Sequence, residues 1–592
     1  MTETPAAAPS PREVARLLAD IGVLLELNGQ DSFRARAFTN AGRALEGIDA
    51  DLLSLAREDK LTTLRGVGGG IAGVISEYVQ TGRSEIFEEL RAATPLGLYD
   101  LLRIPGLGPK RIHTLHSELG VESLDGLERA IDADRVAALS GFGAKTASKI
   151  RQGIAFARSA RQLRRYPDAI EVAARLLDWL VDQEGVSGAE IVGAVRRRME
   201  VVDRVELVAA AESPAAVLTA FRNLQAAGPS DEAGPDEAAP DEAVLTLSDG
   251  ISARLRCVPP AAFVAVTAWE TGSSAHVQEL AARATAKGGA FGPDGLAMAG
   301  KPIRLKREAE LYELLGLEYI PPELREGLGE VERAAAGEIP RLLELDDLQG
   351  AFHCHTTASD GKATLEEMAE AARERGWKYL GIADHSRAAA YAGGLTIGQV
   401  REQHAAVDAL NAGYVKKQGS PFRVFKGIES DILPDGSLDY PDDVLREFDY
   451  VVGSVHSSFG MPGDEMTKRV VRAVRHPSLT ILGHMTGRLL LTRDGYSIDV
   501  SAVLEAAADA GAVIEINANP HRLDLDWRHV REAARMGILI AVNPDAHSVK
   551  ALDHVAFGIH MARKAGLEPR QVINTWDLEE IAEYLAKRKQ TV

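Results

Sequence analysis

Cysteine is nearly absent from this 592-residue chain. Cys257 and Cys354 are the only two, which excludes a disulfide scaffold and fits a reducing compartment. Long apolar runs are missing as well. No stretch approaches the roughly 18 apolar residues that cross a bilayer, so no membrane segment is predicted. A basic excess is also lacking. The net charge of −19 argues against a protein that coats nucleic acid nonspecifically, although it leaves room for a local basic groove. Met1 to Pro11 is rich in Ala and Pro, without a basic start or an apolar run, and reads as a short disordered tail rather than a signal peptide. These absences predict a cytoplasmic soluble protein. The length exceeds what a single core supports, so several domains are expected.

What the chain does have is a row of metal-type ligands near its C-terminal end. His353 and His355 come first, then Asp384 and His385, Glu429, His456, His484, and finally Asp545 and His547, each at or just past the end of an apolar run. One such histidine is ordinarily a hydrogen-bonded core or surface residue. Six of them in company with Glu429 and Asp545 form a pattern suited to divalent metals, which need several N and O donors converging in space. Strands are predicted over 351–355, 379–385, 423–429, 450–456, 480–484, 512–517 and 538–542, with helices such as 365–375 and 498–510 between them. Seven strand-helix units predict a barrel whose strand C-termini open onto one face. His353 and His355 are two apart and share a side of their strand, which leaves Cys354 pointing away as a packing residue. Asp384 reads as the partner that orients His385. Arg488 is the first candidate for binding a substrate phosphate, with Arg522 and Lys426 behind it.

Upstream, the composition changes character twice. From Glu13 to about Ala160 the spacing is helical, broken by three short turns: Gly66-Val67-Gly68, Gly106-Leu107-Gly108 and Gly141-Phe142-Gly143. Two glycines around an apolar residue permit a tight turn whose backbone N–H groups hold a phosphate at a helix start. Repetition at spacings of 40 and 35 residues, with Lys110 and Arg111 or Lys145 and Lys149 beside two copies, predicts sequence-independent DNA backbone binding. From about Arg161 to Leu343 strands mix with helices. Within that region Gly228 to Glu242 is small, acidic and proline-punctuated, and reads as a flexible loop.

The order of these parts resembles the bacterial family X DNA polymerases that carry a C-terminal PHP (polymerase and histidinol phosphatase) domain. The resemblance rests on the three hairpins, Gly193-Ala-Val-Arg196-Arg197, Thr271-Gly272-Ser273-Ser-Ala-His276, Tyr319-Ile-Pro-Pro-Glu-Leu-Arg-Glu326 and His353-Cys-His-Thr-Thr-Ala-Ser-Asp-Gly361. It implies helical hairpin domains over 1–90 and 91–160, a palm over 161–260, a thumb over 261–325, a linker over 326–345 and a distorted (β/α)7 PHP barrel over 346–592. The linker is rich in charge and alanine and reads as either a rigid helix or a hinge. The resemblance adds Asp360 to the metal ligands and implies two to three divalent metals. Mixed His and carboxylate donors favour manganese, zinc or iron over magnesium, and the resemblance implies manganese first, with zinc or iron behind it. Glu429, Asp545 and Arg488 are the residues expected to act in phosphoester hydrolysis. Gapped or nicked double-stranded DNA and its 3′ ends are the implied partners, which points to the nucleoid.

Against the same pattern the polymerase site reads as degenerate. The family's metal-binding carboxylate positions fall on Arg204, Glu206 and Arg254, and the motif serine is Ala194. Arginines where cations bind would repel magnesium, so polymerisation is expected to be lost or severely weakened. The lysine of the family's deoxyribose-phosphate lyase is absent too, with Val74 at its place. Thr271-Gly272-Ser273 reads equally as a thumb-supporting turn or a residual nucleotide contact, since Glu270 replaces the aromatic normally before it.

Overall fold

The computed structural model describes residues 9–45, 50–95, 97–102, 104, 106–160, 163–224, 240–247, 250–416 and 421–590. Two compact units result, Met1–Arg161 and Gln162–Val592. Among the described residues no helix is long and apolar enough to cross a membrane.

The first unit is helical, and its three glycine turns share one local geometry. Gly66, Gly106 and Gly141 have φ of +81°, +78° and +85°, a region that side chains disfavour and glycine enters freely. That conformation turns the next residue inward. Val67, Leu107 and Phe142 are buried, and their N–H groups donate to Leu64, Ile104 and Leu139 at 3.1, 3.0 and 3.2 Å. Helices Gly69–Thr81, Pro109–Leu119 and Gly143–Ala160 follow. Gly68 and Gly108 cap the first two without a side-chain bond, which leaves the opening N–H groups of those helices uncapped by side chains.

The second unit begins with a four-stranded sheet of β1 (Val186–Val192), β2 (Arg204–Ala211), β3 (Glu242–Thr246) and β4 (Ser252–Val258), in the order β1-β2-β4-β3. The helix Tyr166–Val181 packs on it through Val172, Leu176 and Leu180. Most of the acidic segment expected as a loop lies outside the described residues, but its last residue, Glu242, opens β3. Beyond the sheet, helices Phe263–Thr271, Ser274–Ala286 and Glu308–Leu314 build a separate core around Leu280, Leu311 and Tyr312. The segment 326–345 contains a helix, Glu330–Ala336. The Glu330 carboxylate is buried, accepts from Gly327 N (2.7 Å) and Leu328 N (2.6 Å), and meets His276 Nδ1 at 2.7 Å. Of the two readings, this part of the linker is a fixed helix.

The barrel has seven parallel strands in sequential order: β5 (Gly350–Cys354), β6 (Tyr379–Ile382), β7 (Arg423–Asp431), β8 (Tyr450–Ser454), β9 (Ile481–Leu482), β10 (Val513–Asn517) and β11 (Ile540–Asn543). All residues of β5, β6, β8, β10 and β11 are buried, as expected for parallel strands covered by helices. Several strands stop short of the predicted ligand, so His385, His456 and His484 sit on the turns just beyond. Between β5 and β11 the closure is mostly side chain. His355 N donates to Ala546 O at 2.8 Å, and buried Asn574 donates to Gly350 O (3.2 Å) and Val542 O (2.9 Å) while accepting from Val542 N (2.7 Å). Asn574 thus satisfies backbone groups that an unclosed edge would leave orphaned.

Candidate metal centre

The open end of the barrel gathers all nine donors named from the sequence into four overlapping sets, each with its ligand atoms within 4.8 Å of one another. They are His355, Asp360, His385 and His547; His353, His355 and Asp545; His353, Glu429 and His484; and His385, Glu429 and His456. Glu429 is central, with His353 Nε2 and His456 Nε2 each 3.2 Å from its Oε1 and His385 Nδ1 2.9 Å from its Oε2. Despite such approaches, His353 Nε2, both ring nitrogens of His355, His385 Nδ1, His484 Nδ1 and Glu429 Oε2 are buried without a hydrogen-bond partner. Buried polar atoms are normally satisfied, and a cluster of orphaned imidazole nitrogens facing carboxylates is what a bound cation would complete. The residues therefore fit the divalent metals expected from the sequence.

The backbone is bent to make this convergence. His353 and Asp545 have φ of +54° and +51°, conformations that cost non-glycine residues about 1–3 kcal/mol each and persist where the surroundings hold them. The pairing of β5 with β6 shifts register between Ala351 and Cys354 at the same place. Cys354 turns its thiol toward Phe352 O at 3.6 Å and is fully buried, which fits the packing role expected of it.

Electrostatics follow from the crowding. Burial by itself would raise the Glu429 carboxyl, but the imidazoles of His456, His353 and His385 outweigh it and hold the group well below the carboxylate range. Asp545 is depressed likewise, against burial, by the nearby imidazoles of His353 and His355. Burial would lower the imidazoles, yet Glu429 lifts His385 to about 10 and His456 to about 9. His355 falls to about 4, through burial and the neighbouring His547. A cation entering such a site competes with protons.

Outer groups fix the ring orientations, and the sequence reading missed two of them. Glu515, fully buried on β10, accepts from His353 Nδ1 (2.6 Å), His484 N (2.8 Å), Asn543 Nδ2 (2.9 Å) and Asn517 Nδ2 (3.2 Å). Asp431 at the end of β7 bonds His456 Nδ1. With Nδ1 held by an acceptor, Nε2 is left to face the cluster. The available signal for Glu515 was a carboxylate inside the apolar strand Val513-Ile-Glu-Ile-Asn517, since a charge buried there demands partners. Asp384 does not orient His385. It accepts from Thr356 N (2.8 Å), Thr356 Oγ1 (2.7 Å) and Gln403 Nε2 (2.6 Å), and so anchors the turn that carries Asp360.

Arg488 likewise differs from expectation. Its guanidinium donates to Arg522 O (3.1 Å), Leu523 O and Asp526 (2.8 Å), so three of its N–H groups hold the loop 522–526. Lys426 pairs with Asp408 at 2.6 Å. Of the three cations considered, Arg522 stands at the cluster, with Nε 3.7 Å from Asp545 Oδ2.

Comparison with known proteins covers the whole architecture. Family models match a helix-hairpin-helix domain at residues 10–84, a SAM-like helix-hairpin-helix tandem at 98–155, a DNA polymerase beta thumb at 265–326 and a PHP domain at 351–519. The DNA polymerase/3′-5′ exonuclease PolX of Bacillus subtilis (strain 168) is 35% identical over 583 residues, 97% of this chain and 99% of the relative. The chain belongs to the bacterial family X DNA polymerases with a PHP domain. Its barrel also resembles free-standing proteins: a probable phosphatase of Thermoanaerobacter sp. (strain X514), 27% identical over 40% of this chain and 95% of that protein, and one of Caldicellulosiruptor saccharolyticus, 30% identical over 34% and 80%.

In this family X chain the palm positions form ion pairs with one another. β2 runs parallel to β4 with Glu206 opposite Arg254. Arg254 donates to Glu206 (2.8 Å), Glu242 (3.0 Å) and Glu270, and Arg256 to Glu270 (2.9 Å) and Asp241 (2.9 Å). Glu270 is thus a counter-ion for both arginines. Gly193 beside them has φ of +64°, a conformation that glycine enters freely and side chains disfavour. Arg204 pairs with exposed Asp203 at 3.1 Å. Arg196 and Arg197 bond Thr271 Oγ1 and Thr271 O, both at 2.8 Å, which ties the Thr-Gly-Ser turn to the palm. In the hairpin unit Lys110, Lys145 and Lys149 are exposed, and Arg111 donates to Gly106 O at 3.0 Å.

Proposed function

We propose that this chain is a metal-dependent 3′-5′ DNA exonuclease, delivered to gapped or nicked DNA by its hairpins and carried on a palm that no longer polymerises. The observation that carries the reading is a contrast between two sites in one chain. The barrel presents buried, unpartnered donors that a cation would complete, whereas Arg254, at the position where the family is expected to carry a carboxylate, pairs with Glu206, Glu242 and Glu270.

His353, His355, Asp360, His385, Glu429, His456, His484, Asp545 and His547 would hold two to three ions, with manganese first and zinc or iron as alternatives. Bound there, such ions supply a hydroxide near neutral pH and stabilise charge on the phosphate. The chain's own contribution is positioning. Glu515 and Asp431 hold Nδ1 of His353 and His456, so that Nε2 faces the donors. Arg522, on a loop clamped by Arg488, aims its guanidinium at the Asp545 side, where it offers N–H donors to a nonbridging phosphate oxygen. Gly66, Gly68, Gly106, Gly108, Gly141 and Gly143, with Lys110 and Lys145, contact the DNA backbone.

Primer extension on gapped DNA with labelled 3′ ends, in Mn and in Mg, tests the whole reading. Shortening that is lost in His353→Ala, together with a fall in bound metal, supports it; extension of the primer sinks the claim about the palm. The second reading, a gap-filling polymerase with its own proofreading barrel, is favoured by the name and 35% identity of the Bacillus subtilis relative. It requires a magnesium site assembled from Glu206 and other carboxylates of the palm.

A further inference from the structure

The rim of the metal centre carries one large aromatic ring that packs against little. Tyr391 is 74% exposed, yet its ring centroid lies 6.2 Å from that of His385 and 6.4 Å from that of His456. Its hydroxyl makes no hydrogen bond with the described residues. A tyrosine this exposed adds little to the core, so its place at the mouth calls for another explanation.

The loop that carries it is held from both sides. Ser386 N donates to Glu429 O (2.9 Å) and Ser386 Oγ accepts from Asp431 N (3.0 Å), which ties the loop's start to the strand bearing the central carboxylate. Ala388 N donates to Asp439 Oδ2 at 2.6 Å. Ala389 N donates to Ser386 O (3.0 Å), Ala392 N to Ala389 O (2.9 Å), and Leu395 N closes back on His385 O (2.9 Å). Ala389 and Ala392 are buried on either side of Tyr391. Gly394 permits this closure, since a Cβ there would meet Ser386 O at 1.9 Å. The ring is therefore presented to solvent by a fixed loop, and its position is set by the same backbone that sets His385 and Glu429.

Charge at the mouth is arranged to match. Arg522 stands on the Asp545 side of the donors, while Tyr391 flanks the His385 and His456 side. A nucleotide whose phosphate sits between the donors and Arg522 has its base free to reach that ring. Exposed aromatic rings beside a phosphate site are the usual platform for a nucleobase, because every base has a π-face to stack.

We propose that Tyr391 forms a nucleobase subsite, stacking on the base of the nucleotide whose phosphodiester lies at the metal centre. The inference rests on the exonuclease reading above and adds to it a contact with the base at the 3′ end. The partner recognised is any unpaired terminal base, without sequence preference.

The test compares Tyr391→Ala and Tyr391→Phe on strands ending in an ordinary 3′ nucleotide and on strands whose terminal residue is abasic. On the ordinary end Tyr391→Ala should lower kcat/KM about 5- to 150-fold, the span given by stacking one base on one ring. Tyr391→Phe should retain most of the activity, and the alanine penalty should shrink below about 3-fold on the abasic end. An equal penalty on both ends, or failure of phenylalanine to substitute, overturns the subsite. A strand ending in 2-aminopurine supplies a readout that needs no hydrolysis. Quenching on binding should be present in the wild type and Tyr391→Phe and absent in Tyr391→Ala. Tyr391-dependent quenching without strand shortening would sink the exonuclease reading alone, whereas shortening without such quenching would sink the subsite alone.

Discussion

Glu515→Gln is the most informative single change to the barrel, because it alters one atom in a group that touches no substrate. The carboxylate faces four donors, His353 Nδ1, Asn543 Nδ2, His484 N and Asn517 Nδ2, at 2.6 to 3.2 Å. It can accept from all four. Glutamine keeps one acceptor oxygen and turns an NH2 toward the other pair. Two buried donors are then orphaned, at about 1–3 kcal/mol each, or about 2–6 kcal/mol in total. If the amide turns its NH2 toward His353, Nδ1 must become the acceptor and the ring proton moves to Nε2, the nitrogen that faces Glu429. Either orientation disturbs the centre, and metal affinity should fall about 10- to 100-fold, as for other carboxylates behind a metal-bound imidazole. Denaturant unfolding measures the first effect and manganese titration of the folded variant the second. A folded Glu515→Gln chain that binds manganese as the wild type does would refute the assignment of Glu515 as the orienting group.

Proton competition gives a second test. With His385 lifted to about 10 and His456 to about 9, both carry protons at neutral pH in the metal-free chain. A cation bound between them and Glu429 must expel both, so affinity should weaken on acidification, by up to about a hundredfold per pH unit below about pH 9. Calorimetry in two buffers of different ionisation enthalpy counts the protons released, and a count of zero at pH 7 contradicts the assignment. In the palm, Arg254→Ala leaves Glu206, Glu242 and Glu270 without their shared counter-ion and should cost about 3 kcal/mol of stability. Thermal unfolding reads the loss, and an unchanged Tm would mean that the network does not hold the sheet. Replacing Lys110 and Lys145 by Glu should weaken DNA binding about equally for all sequences and lower the salt slope by about one for each phosphate no longer neutralised; binding isotherms at several salt concentrations check both.

The parts that were legible in the sequence share a cause. Each barrel donor except Asp360 stands at the end of an apolar run, and parallel strands bring such ends to one face whatever the detailed path of the chain. The hairpins were legible because a positive φ admits few residues besides glycine, as the conformations of Gly66, Gly106 and Gly141 illustrate. The partners of Arg488 and Asp384 were not legible, for the opposite reason. Their nearness to a motif in sequence says nothing of where a long or buried side chain finds its partners, and these lie up to 38 residues away. Spacing could not choose between Arg488 and Arg522, because the choice depends on how one loop folds over another.

By itself, the sequence determined the order of the parts, the strand-end placement of eight candidate donors and the arginines that stand where the family resemblance leads one to expect palm carboxylates. Those features are local, set by residue type, periodicity and register. Only the tertiary structure decided that the nine donors form overlapping sets around Glu429, that Glu515 stands behind them, that Arg254 is neutralised by three carboxylates, and that Tyr391 is left on the rim. Each of those outcomes depends on which groups meet across long stretches of chain once water is excluded, and in that setting an unpartnered charge or nitrogen acquires its meaning.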